Sequence, residues 1–214
     1  KGTYQRMVSG RLIKLRMMLS SVRQHGNLGE ISIFAALEYP AVEEMVSALK
    51  GEQYKKGTDI FEQQIGELCE KSNVFIPFSG DSNMESVGAM IQAYLVRYVF
   101  PLMRVYEDDE KILDKFAGKT TAWQWHYSSM SKSDIHFYLK WMSLCVLTGH
   151  LREAFIVLQN IPKRYLNASE MAMEVLKDRL SALCANRQQV KSRYLLFDER
   201  VFTNPGKEEL EKAI

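Results

Sequence analysis

Cysteine, proline and long apolar runs are scarce in this chain, and each scarcity excludes something. Cysteine occurs three times in 214 residues, at Cys69, Cys145 and Cys184. These positions are far apart, so they make neither a zinc-ligand spacing nor a disulfide framework. A reducing compartment, the cytoplasm, is the expectation. Five prolines and 12 glycines argue against a fold rich in tight β-turns. Lysine and arginine break every apolar run before it reaches the length of a bilayer span. No signal-peptide pattern is present either, and no membrane association is expected. A formal net charge of +2 gives no whole-protein attraction to nucleic acid or anionic lipid, leaving only local patches. The chain opens on Lys1 without methionine, which is expected of a fragment.

Catalytic signatures are also missing. The histidines, His25, His126, His136 and His150, never stand four apart on one helix, and there is no HExxH or CxxC. The nucleophile elbow, the dinucleotide glycine motif and the phosphate loop are absent as well. No arginine lies four to six residues before a histidine, which removes the Arg-x-x-x-x-His pattern of helical ribonucleases. Asp108, Asp109 and Glu110 are acidic together, but acidic residues at a helix start complement its dipole without a metal. A calcium loop would need alternating ligands and a turn glycine. Neither an enzyme, a metal nor a cofactor is expected.

What the chain does hold is apolar periodicity. Residues 46% apolar and 25% charged suit one globular domain. Tyr4, Val8, Leu12, Leu15 and Leu19 recur at helical spacing, which predicts a first helix from Thr3 to about His25. Residues 29–38 read as a short helix broken at Tyr39-Pro40. Pro40 starts another, with Val42, Met45, Val46 and Leu49 inward and Gly51 at its end. Asp59-x-x-Glu62 opens a further helix carrying Phe61 and Ile65. The stretch from Val74 to Asn83 reads as extended. Ser82-x-x-Glu85 then opens a long helix to about Tyr106, kinked at Pro101, with Met90, Ile91, Tyr94, Tyr98 and Leu102 facing the core.

Two clusters could touch a partner. The first helix carries Arg6, Arg11, Lys14, Arg16 and Arg23, which would make either a phosphate-binding face for RNA or a solvated face paired with acids. Near the middle lies an irregular stretch with Trp123, Trp125, His126 and Tyr127. Exposed, these rings would form a binding hot spot for another protein; folded down, they would plug the space between two helical halves.

The stretch SDIHFYLKWMSLCVLTGHLREAFIVLQNIPKRY, residues 133–165, organises the rest. Ser133 suits an N-cap, and Phe137, Trp141, Leu144 and Cys145 recur helically. Gly149 suits a left-handed helix end, and Ala154 lets a second helix approach closely. With Tyr138, Trp141 and Leu158 around a Gly-x4-Ala spacing, this resembles a tetratricopeptide-type hairpin. A second resemblance spans residues 58–166. Pro77-Phe78 precedes a long helix, then come an acidic break, a Trp-bearing helix, Gly149 and Arg152-Glu153-Ala154-Phe155. This order looks like the helical region of accessory effectors from type III CRISPR systems. It implies a part in antiviral defence beside a nucleotide-sensing domain; without the ribonuclease motif, no catalytic residue carries over.

The sequence therefore predicts an all-α protein of eight to ten helices packed as antiparallel hairpins, with a short TPR-like solenoid unit as one form. An N-terminal helical half (1–116) and a C-terminal helical half (133–214) flank the aromatic loop (117–132). The expected function is a non-enzymatic scaffold or adaptor that binds another protein through Trp123, Trp125, His126, Tyr127 and Trp141. The alternatives are the CRISPR-linked role and RNA binding by the basic segment.

Overall fold

The computed structural model describes residues 2–8, 10–21, 29–54, 61–65, 75–79, 82–117, 135–168 and 172–195. It corrects the all-α expectation at once. Where two helices were expected, three antiparallel strands stand: β1 (Gly2–Val8), β2 (Arg11–Ser21) and β3 (Gly29–Glu38). Two short strands, β4 (Phe61–Gln64) and β5 (Ile76–Phe78), pair with the far edge of β3 and complete a five-stranded sheet. The strand at 61–64 replaces the helix predicted from Asp59, while β5 falls in the stretch read as extended.

Local chemistry explains the strands. Val8 pairs with Arg11, so β1 turns tightly into β2. Gly10 takes φ 74°, a conformation open to glycine and costly for other residues. Along β2, Ile13 and Leu15 are buried on one face and alternate with Leu12, Lys14 and Arg16 on the other. β3 is the central strand and is buried along nearly its whole length. Its β-branched Ile31 and Ile33 suit a pleated, packed surface.

Helices follow. α1 (Pro40–Lys50) begins on Pro40, whose missing amide costs nothing there, and ends at Gly51 with φ 74°. α2 (Met84–Tyr94) runs through a π-helical turn (Leu95–Val99) into α3 (Phe100–Tyr106). The π turn is where the predicted proline disruption is absorbed: Phe100 N–H reaches back to the Leu95 carbonyl just before Pro101, which has no amide to donate. α4 (Asp109–Phe116), α5 (Ile135–Thr148), α6 (Leu151–Gln159), α7 (Lys163–Ala168) and α8 (Met173–Leu195) complete the described elements.

α5 is the inner helix, packed against α1, α4, α6 and α8. It turns into α6 at Gly149, φ 92°, and Ala154 is fully buried where the two helices meet. Arg179 on α8 lies over Gly51 and donates to the Leu49 carbonyl at 3.0 Å, a cation at the carboxyl end of α1. One continuous apolar core joins Ile13, Ile33 and Leu37 of the sheet to Met45, Leu139 and Leu144 of the helices. No helix among the described residues is long and apolar enough to cross a membrane.

Candidate interaction surface

The basic residues picked out in the sequence lie on two strands, not one helix face. Cross-strand register puts Arg6 and Arg11 on the same side as Ile13, and Lys14 and Arg16 on the opposite side. Each meets a carboxylate. Arg6 Nη1 donates to Glu107 at 2.9 Å, and Arg16 Nη1 to Glu62 at 2.8 Å. Lys14 and Glu38 form a buried pair at 2.7 Å. Burying charges costs solvation, which such a pair offsets only through close geometry. Arg11 is buried, pairs with Asp109, donates to the Tyr106 carbonyl at 3.2 Å and lies 5.1 Å from the centre of the Tyr39 ring. The fifth residue, Arg23, lies outside the described residues.

Tyr39 closes that corner by donating its hydroxyl to Asp109 at 2.9 Å. Burial, and then the Asp109 carboxylate beside it, push its phenol well above the ordinary value of 10.0. The Arg11–Asp109–Tyr39 group thus joins β2 and the start of α1 to the start of α4. The acidic run at 108–110 is used up in the same way. Asp108 accepts from the amides of Glu110 and Lys111, Asp109 holds Arg11, and Glu110 lies 3.0 Å from His150. No group of three metal-ligating side chains occurs among the described residues.

Of the five aromatic candidates, Trp123, Trp125, His126 and Tyr127 lie outside the described residues. Trp141 is half-buried on α5, its ring 5.9 Å from Phe137. Its indole nitrogen is buried with no hydrogen-bond partner among the described residues. Trp141 packs against the core instead of standing out from it.

The unexpected surface lies on α2 and the π turn. Asn83, one residue after the predicted Ser82 cap, starts this helix by accepting from the amides of Glu85 and Ser86 at 3.0 and 3.4 Å. Val87 is the one buried residue of α2; Ile91, Tyr94, Leu95 and Tyr98 extend its inner side onto the core. Everything else faces out. Met84 is 64% exposed, Met90 46% and Val96 55%, and Gly88, Ala89 and Ala93 are exposed beside them. The expectation that Met90 faces the core is therefore overturned. An apolar helix is ordinarily read as covered on most sides, and that reading hid this face.

Charge frames the same face. Glu85 and Arg97 are both exposed, and neither forms an ion pair among the described residues; Arg97 rests near the Tyr98 ring at 5.3 Å. The contrast with the sheet, where every described cation singled out in the sequence meets an acid, sets α2 apart. Compared with protein families, with curated proteins and with solved structures, the chain finds no match.

Proposed function

We propose that this protein is a non-enzymatic interaction module and that it makes contact through the outer face of α2. One observation carries the reading: a helix whose apolar residues Met84, Met90 and Val96 are turned outward and uncovered. They stand uncovered on a helix that buries only Val87, so an apolar helix is left without the cover its composition calls for. Methionine suits such a face, because its unbranched, polarisable side chain adapts to what it meets. A reducing, cytoplasmic setting belongs to the same reading, supported by Cys145 and Cys184, neither of which is in a disulfide.

Site-specific photocrosslinking tests it. A photoreactive side chain replacing Met90 in the full chain, irradiated in the producing cells, is expected to give one discrete protein adduct. The same group replacing the exposed Lys163 on α7 serves as control. An adduct of twice the chain mass and an adduct of another mass both support the contact role. No adduct above the control overturns it.

A further inference from the structure

The outer face of α2 is complementary to itself, and we infer that its partner is a second copy of this chain, docked antiparallel along Glu85, Ala89, Ala93 and Arg97. This rests on the contact role proposed above and adds the identity of the partner. The four positions recur every four residues and all are exposed, so they form one row on the helix surface. In a regular α-helix such a row drifts by about 40° per step. The wider π turn at Leu95–Val99 takes back part of that drift and keeps Arg97 in line.

The order of charges gives the row its sense. A carboxylate stands at the start, a guanidinium at the end and two alanines between them. A two-fold axis between Ala89 and Ala93 sets Glu85 against the partner subunit's Arg97, and Arg97 against the partner subunit's Glu85. A parallel copy would instead put like charges together, which costs affinity. The alanines match each other across the same axis, as an isologous contact requires.

The two alanines carry little bulk, which lets a second helix come as near as about 8 Å between axes. Met90 and Val96, each three residues from Ala93, flank the row and would cover its rim. The row is short, at about 18 Å, so one helix pair buries less than a standard interface, and a dissociation constant on the order of 10 µM is expected.

Sedimentation equilibrium of the purified full chain decides the matter. The native chain should show a monomer–dimer equilibrium. Glu85→Arg and Arg97→Glu should each weaken it by about tenfold or more, since each creates two like-charge contacts per dimer. The double variant should return to within about threefold of native, because the pairs reform with their signs exchanged. Glu85 also complements the positive end of its own helix, a role that the double variant would not restore. Glu85→Gln, which only removes the charge, should weaken the dimer by about threefold. Far-UV circular dichroism checks that all four variants are as helical as the native chain. A native chain that stays monomeric to about 200 µM, far above the expected range, overturns the inference. So does indifference to either reversal, or failure of the double variant to recover. In any of those cases a Met90 adduct of another mass leaves the contact role standing, and the lack of any adduct removes both.

Discussion

α2 and α5 are both apolar helices, and they meet opposite fates. α5 is covered on almost every side: Phe137, Leu139, Met142, Leu144 and Cys145 are buried, and so are Lys140 and Ser143. Two of its buried polar groups are served inside the chain. Ser143 donates to the Leu139 carbonyl at 2.8 Å, and Lys140 lies 3.5 Å from the buried Glu43. α2 buries Val87 and leaves Met84, Met90 and the two alanines uncovered. Glu85 on α2 and Arg97 on the π turn that continues it face outward with no counter-ion among the described residues. The difference teaches that apolar composition states how much surface a helix needs to cover, not whether its own chain does the covering. α5 completes this fold; α2 asks for something outside it.

Substitutions on the two helices and at the joint between sheet and helices separate these roles. The largest effect is expected at Leu144→Ala on α5, where a fully buried side chain leaves a cavity; urea unfolding should show a loss of about 2–5 kcal/mol. Tyr39→Phe probes the joint between sheet and helices through pH. The folded phenol value is raised, so the native state stays protonated while the unfolded chain ionises above pH 10.0. Stability from this group is full below that pH and falls above it, by about 1.4 kcal/mol per pH unit. The variant should lose that alkaline slope, and below pH 9 it should differ by about 1 kcal/mol for the missing bond to Asp109. Gly88→Ala should raise the melting temperature, worth about 1 kcal/mol, because no described residue needs glycine there. Met90→Ser with Val96→Ser should change monomer stability by less than about 0.5 kcal/mol. If those two cost as much as Leu144→Ala, the contrast between the helices is gone.

Much of the helical part was legible in the sequence, and the sheet was not. Pro40 and Gly51 bracket α1 as their chemistry requires, and Gly149 ends α5 in the left-handed conformation expected of it. At the amino end, Tyr4, Val8, Leu12 and Leu15 happen to satisfy helical spacing while lying on two paired strands. The alternation that should have exposed β2 is blurred, because Lys14 is buried through its pair with Glu38 while Met18 and Leu19 are exposed. Strands covered on both faces lose the alternating pattern that identifies them. The residue pairs 9–10 and 29–78 carried a usable signal. Ser9-Gly10 is a turn dipeptide, and Gly29 is the space into which the Phe78 ring packs across the strands. The contact face was hidden for a different reason: Met90 and Val96 look the same in a sequence whether a partner or the protein's own core covers them.

Hydrogen exchange followed against protein concentration tests the self-contact of α2 most directly. Amides from 89 to 99 should gain protection as the chain is concentrated through the tens of micromolar, while those of β2, β3 and α5 stay as they were. Protection in α2 that ignores concentration, or that rises equally in the sheet, would contradict the account.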